Sequence, residues 1–282
     1  MTRKLGHASL TMLSGGDFRL DGGAMHGVVP KTIWSRLVSC DDRNRVAYST
    51  NCLLVEIGGK RVLVETGNGD KFSPKEKEIY GIDHERSISG ALAEIGIAPA
   101  AIDVVVLTHL HFDHAGGTTR RVPGGVEPVF PRARHVVQRR EFVAAEHAHE
   151  RNRASYLAEN FAPLAAAGLL NVVDDATEIL PGLRVIPTPG HTPGHQSVII
   201  DGGNGECAVF FGDVVPTSIH VRLPFIMAYD LDVEATLAAK KRLLADAIDG
   251  HWLVLWGHDL RHGGFLIRDD KGQPAVGEIV EV

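Results

Sequence analysis

Apolar and polar residues alternate along positions 7–13, where Ala8, Leu10 and Met12 fall on one face, and this predicts an opening strand. The apolar run 51–57, the break Gly58-Gly59-Lys60 and the second run 61–65 predict a hairpin. Residues 87–95 carry helical spacing and stop at Gly96, and the Val-rich stretch 102–107 reads as a buried strand. Further short strands are expected at 134–137, 171–173, 184–187, 252–256, 265–268 and 278–282, with helical pieces between Arg139 and about Ala167. Strands at 197–200 and 207–211 flank Asp201-Gly202-Gly203-Asn204-Gly205, a hairpin turn signal. Asp232 is placed to cap a helix over 233–248, with Leu237, Leu243, Leu244 and Ile248 on its apolar face. No linker or repeat interrupts the series, so residues 1–282 are expected to form one α/β domain.

Four of these strands run straight into a side chain able to bind metal. VVVLT leads to His109, RVIPTPG to His191, AVFFG to Asp213 and WLVLWG to His258. Strand ends hold side chains rigidly enough for coordination chemistry, and they are the usual address of α/β active sites.

Composition narrows the classes. Hydrophobic residues make up 44% of the 282 and charged residues 23%, which excludes a disordered chain. A net charge of −6 without basic runs argues against a nucleic-acid partner, and no apolar stretch is long enough for a membrane span. Cys40, Cys52 and Cys207 lack CxxC spacing and read as reduced thiols. Ser9, Thr11 and Ser14 break the early apolar run, so a cytoplasmic protein is the expectation. The histidines stand out, fifteen in all, and their positions carry the chemistry.

His109-Leu110-His111-Phe112-Asp113-His114 is the central motif. Shuffling a chain of this composition would produce HxHxDH only about 3 times in 1000. His109 and His111 can clasp one ion, while Asp113 and His114, past the bend, can address a second. Imidazole and carboxylate together suit zinc or another first-row metal, with Fe, Mn and Co as the other candidates. In Thr188-Pro189-Gly190-His191-Thr192-Pro193-Gly194-His195, His191 is the better ligand because it comes first after the strand; His195 is expected to stand behind it. Asp213 follows an apolar strand where an unpaired carboxylate would be costly, and His258 completes the set.

With these motifs in order from about Asn51 to His258, the sequence resembles the metallo-β-lactamase superfamily. The resemblance implies an αββα sandwich, two mixed sheets flanked by helices, with metals at one edge. By that likeness His109, His111 and His191 bind one ion, Asp113, His114 and His258 a second, and Asp213 bridges both. Val64-Glu65-Thr66-Gly67 departs from the family's usual Asp-Thr-Gly. The full ligand set, with only 24 residues after His258, resembles the quorum-quenching N-acyl-homoserine lactonase-like subgroup, as do residues 23–34 and 212–232. It implies a dinuclear hydrolase whose metal-bridging hydroxide attacks a lactone or ester carbonyl. Organophosphate or phosphodiester hydrolysis on the same centre, and a metal-binding module without turnover, are the alternatives.

No GxSxG offers a serine nucleophile. Asp113 and His220 are the catalytic candidates; His220 stands in for a Tyr that known acyl-homoserine lactonases carry after the bridging Asp. Met25, His26, Val29 and Trp34 are expected on an N-terminal loop folding over the metals as a lid. With Phe112, Leu223, Phe225 and Met227 they would form an apolar pocket for a small-molecule ester or lactone. The only macromolecular partner suggested is a second copy of the chain.

Overall fold

The architecture rests on strands that are apolar on both faces. In the computed structural model, which describes residues 1–82 and 86–282, Val104, Val105 and Val106 are all buried. Val104 and Val106 point into one core, with Leu53, Val55, Val62 and Val64 beside them and Val185, Val198, Phe210 and Leu255 opposite. Val105 points the other way, into a second core with Leu63, Val137, Ile88 and Leu92. A strand buried on both sides needs a layer on each side, which is why it reads as a continuous apolar run rather than an alternation.

Among the described residues the strands form two seven-stranded sheets and a small hairpin. The first sheet runs Arg3–Leu5, Ala8–Asp21, Arg45–Ile57, Lys60–Val64, Val104–Val106, Arg134–Gln138, Leu170–Val173. Its first pairings are antiparallel and its last three parallel, from Lys60–Val64 onward. The second runs Thr177–Leu180, Leu183–Pro187, Gln196–Gly203, Glu206–Phe210, Leu253–Leu255, Gly263–Arg268, Pro274–Val280. All its pairings are antiparallel except Glu206–Phe210 with Leu253–Leu255. Helices Ile88–Glu94, Arg139–Glu146 and Ala158–Ala166 bring residues to the outer face of the first sheet. Val233–Asp249 covers the second through Ala239, Leu243, Leu244 and Ala247 against Ile199, Val209 and Val254. This is the αββα sandwich the sequence implied.

Local chemistry explains the boundaries. Asp232 accepts from Ala235 N at 3.0 Å and starts the long helix where capping predicted it. Asn204 and Gly205 both adopt positive φ, +56° and +82°, the conformation a two-residue hairpin turn demands. The opening strand is longer than expected, extending through Asp21, and it pairs with Arg45–Ile57 across an irregularity between Ser14 and Asp17.

Residues 22–34 differ from the expected lid. They form two short helices, Gly22–His26 and Lys31–Trp34, packed into a cluster with Phe18, Val46, Tyr48 and Phe225. Trp34 is 1% exposed and lies against the His26 ring at 4.8 Å. A stacked aromatic fixed on both sides belongs to the wall of the molecule, and it is not a flap.

Candidate metal centre

The carboxyl ends of Val104–Val106, Leu183–Pro187, Glu206–Phe210 and Leu253–Leu255 deliver His109, His191, Asp213 and His258 to a common point within four residues of each strand end. His111 precedes, and Asp113 and His114 lie on, the turn Phe112–Ala115, which brings them to the same place. His109, His111 and His191 group their ligand atoms within 4.8 Å of one another; so do Asp113, His114 and His258, and so do His109, His114 and Asp213.

Asp213 joins the groups. Its Oδ2 lies 3.2 Å from His191 Nε2 and 3.9 Å from His109 Nε2. Its Oδ1 lies 3.0 Å from His258 Nε2 and 3.3 Å from His114 Nε2. Asp113 Oδ2 is 3.6 Å from His258 Nε2 and 3.7 Å from His114 Nε2.

The far side of four of the five rings is already engaged, and only His111, which turns Nδ1 to the centre, leaves its far Nε2 without a partner. His191 Nδ1 donates to Asp230 at 2.7 Å, and His258 Nδ1 to the Ser49 carbonyl at 2.9 Å. His114 Nδ1 faces Glu65 at 3.3 Å, and His109 Nδ1 meets Thr108 Oγ1 at 2.9 Å. Neutral rings protonated at Nδ1 present Nε2 lone pairs to the centre. There His191 Nε2 meets His111 Nδ1 at 3.1 Å, while His109 Nε2 and Asp213 Oδ1 find no hydrogen-bond donor. Buried lone pairs converging on a carboxylate are unfavourable unless a cation lies between them, so the donor set fits divalent metal.

Electrostatics point the same way. Burial disfavours a charged His114, yet Asp213, Asp113 and Glu65 outweigh it and hold its pKa well above the usual value. His191 and His258 are also raised, with Asp213 overcoming burial in each. Burial and the neighbouring imidazoles instead push His109 and His111 well below it. Although burial opposes its charge, Asp213 is held well below the carboxylate range by His114, His258 and His191. Negative charge here calls for positive charge.

The Metallo-beta-lactamase superfamily profile matches residues 45–258. The chain belongs to the metallo-beta-lactamase superfamily. It is 29% identical over 221 residues to an N-acyl homoserine lactonase of a Bacillus species, covering 74% of this chain and 80% of that protein. A probable metal-dependent hydrolase from Staphylococcus aureus superposes with a TM-score of 0.90 at 30% identity, over 99% of both chains. A dizinc quorum-quenching lactonase in complex with a product shares the fold, with a TM-score of 0.79 at 21% identity over 100% and 97% of the chains. This member of the metallo-beta-lactamase superfamily is a metal-dependent hydrolase.

Several supports of the superfamily centre are invisible along the sequence. Glu65, at the departure from Asp-Thr-Gly, has φ +68° and is 2% exposed. Its longer side chain accepts from Thr108 N at 2.8 Å while reaching His114, so it braces both ends of the histidine motif. Buried Glu141 accepts from Leu110 N at 3.0 Å, Tyr156 Oη at 2.9 Å and Thr192 Oγ1, tying that motif to the His191 loop. Gly194 permits the approach, since a Cβ there would sit 2.0 Å from Glu141 N. His195 lies behind the centre: Nδ1 meets Thr188 Oγ1 at 2.8 Å and Nε2 accepts from Asp213 N at 2.9 Å. Gly212 must be glycine for that contact, with φ +62° and a Cβ position 2.6 Å from His195 Nε2.

The centre forms the floor of a cavity of about 330 Å³. Met25, Phe112 and Met227, three of the eight residues expected to form the pocket, line it together with His111, Asp113, His191, Asp213 and His258. Leu20, Tyr80, Arg151, Asn152, Ser155, Ala228 and Leu231 line it too, unassigned to the pocket by the sequence, and so does Tyr229 from the apolar stretch expected beyond Asp213.

Other anticipated contacts are corrected. His26, Val29, Trp34 and Phe225 are buried away from the cavity lining; His26 stacks between Trp34 and His220, and Val29, Trp34 and Phe225 pack with Phe18 and Tyr48. Leu223 lines a separate apolar groove with Val28 and Ile226. His220 is not positioned for catalysis, because Nδ1 meets Thr217 Oγ1 at 2.7 Å and Nε2 donates to the Met25 carbonyl at 2.9 Å. With both nitrogens occupied and the ring outside the lining, it pins the Gly22–His26 helix to the turn Ser218–Val221.

Proposed function

We propose that this protein hydrolyses lactones or related carboxylic esters, N-acyl homoserine lactones among them, at a pair of divalent cations. His109, His111 and His191 would hold one cation, Asp113, His114 and His258 the other, with Asp213 offering an oxygen to each. The observation that carries the reading is this split of the Asp213 carboxylate between two imidazole groups at the floor of a largely apolar cavity. When bound, such a pair supplies Lewis acidity toward a carbonyl oxygen and lowers the pKa of water toward neutrality.

The chain's own residues do the rest. Leu20, Met25, Phe112, Met227 and Leu231 give walls suited to an acyl chain, and they exclude water around the reacting carbonyl. Partial burial, with nearby carboxylates such as Asp113, raises the pKa of both the Tyr80 and Tyr229 phenols. Both stay protonated at neutral pH and serve as donors to a substrate carbonyl. Arg151 and Asn152 add polar groups to the lining, suited to the amide of an acylated lactone. Asp113, facing the cavity, is placed to take the proton released by the attacking water and pass it to the leaving alkoxide. The Bacillus relative, named for its action on N-acyl homoserine lactones, supports that substrate class.

The test compares turnover of an N-acyl homoserine lactone, an aryl ester and a phosphotriester by protein loaded in turn with Zn²⁺, Mn²⁺ and Co²⁺. Lactone or ester opening should dominate. Phosphotriester turnover without lactone or ester cleavage would overturn the reading.

A further inference from the structure

The stretch 222–232 has two jobs that no motif joins. Met227, Ala228 and Tyr229 form one wall of the cavity. The next residue, Asp230, is 3% exposed and accepts from His191 Nδ1 at 2.7 Å. The backbone is fastened on both sides of that contact. Leu231 N and Asp232 N donate to the Gly190 carbonyl at 3.0 and 2.9 Å, and Arg151 Nη2 reaches across to the Ala228 carbonyl at 2.7 Å.

We propose that Asp230 is a positioning residue coupling the substrate-side wall to the cation held by His109, His111 and His191. The inference rests on His191 being a ligand. A carboxylate on Nδ1–H fixes the tautomer, aims Nε2 at the centre and makes the ring more basic. Because Asp230 adjoins the wall residues, a force on the wall moves the ring, and a change at the ring is returned to the wall. Arg151 acts on the same element from the opposite side, through Ala228 and without touching a ligand.

Co²⁺ titration of the metal-free protein, read by visible absorption and by competition with a chelator, tests this without using turnover. The wild type should take up two Co²⁺. Asp230→Asn should hold one of them about 10- to 100-fold more weakly, with the second unchanged, and Asp230→Glu should restore part of the loss. Arg151→Ala, at an exposed side chain that leaves the core intact, should weaken the same Co²⁺ severalfold. The double variant should bind no more weakly than Asp230→Asn alone. Wild-type affinity in Asp230→Asn or in Arg151→Ala, or additive losses in the double variant, overturns the coupling. A wild-type protein that takes up no Co²⁺ overturns the metal reading beneath it and is recognised before any variant is made.

Discussion

His114 Nε2 and His258 Nε2 face each other at 3.1 Å, while their Nδ1 atoms are turned to Glu65 and to the Ser49 carbonyl. A hydrogen bond between the two Nε2 atoms needs an extra proton on one ring; a shared cation needs none. Metal should therefore stabilise the fold as well as activate it. A site saturated at 1,000 times its Kd adds about 4 kcal/mol. Chelation is expected to lower Tm on the order of 10 °C, and Zn²⁺ should restore it. An Asp213→Asn variant should show a much smaller response, since the oxygen charge facing both imidazole groups is gone. Differential scanning calorimetry with and without chelator gives the comparison.

Glu65 reaches two groups at once, Thr108 N and the His114 ring. Glu65→Asp is one methylene short, and Glu65→Gln keeps an acceptor for Thr108 N while losing the charge beside His114. Both should weaken the ion held by Asp113, His114 and His258 about 10- to 100-fold. The site built on His191 should keep its affinity. Isothermal titration with Zn²⁺ resolves the two, and equal weakening at both sites contradicts the assignment.

Three buried histidines should make the protein acid-labile. Burial pushes His195 and His220 down to about 3 and His135 to about 4. Their folded values lie below the unfolded value near 6.5, so the unfolded chain gains protons first as pH falls. Their contribution is complete above pH 6.5 and is lost progressively toward pH 3–4, at about 1.4 kcal/mol per group per pH unit. Urea unfolding of the metal-free protein between pH 6.5 and 4.5 should show this slope. It should be shallower in a His220→Ala background.

His220→Ala also separates structure from catalysis. Losing two buried hydrogen bonds and the ring should cost about 3 kcal/mol. Because the ring does not line the cavity, kcat of the folded, metal-loaded variant should stay within about threefold of wild type. A loss of a hundredfold or more in kcat would restore the catalytic assignment.

Those outcomes show where sequence stops being informative. The candidate metal-binding residues were legible because His109, His191, Asp213 and His258 each follow an apolar strand, while His111, Asp113 and His114 belong to a histidine motif too dense to arise readily by chance. Glu65 was visible as a departure, but its reach to His114 depends on a left-handed backbone that no local pattern announces. Asp230, Glu141 and Tyr156 act over separations of 39, 31 and 15 residues from their partners His191, Leu110 and Glu141. The pocket was the least legible part. Met25 and Trp34, or Met227 and Phe225, are alike in apolarity, and packing alone decides that one of each pair lines the cavity and the other does not.

The two imidazole groups each draw on both halves of the sandwich. His109, His111, Asp113 and His114 follow a strand of the first sheet, while His191, Asp213 and His258 follow strands of the second. A cation seated in either group is thus a clasp across the seam, and neither half alone offers a complete site. Any motion that parts the two sheets would therefore pull both groups open together.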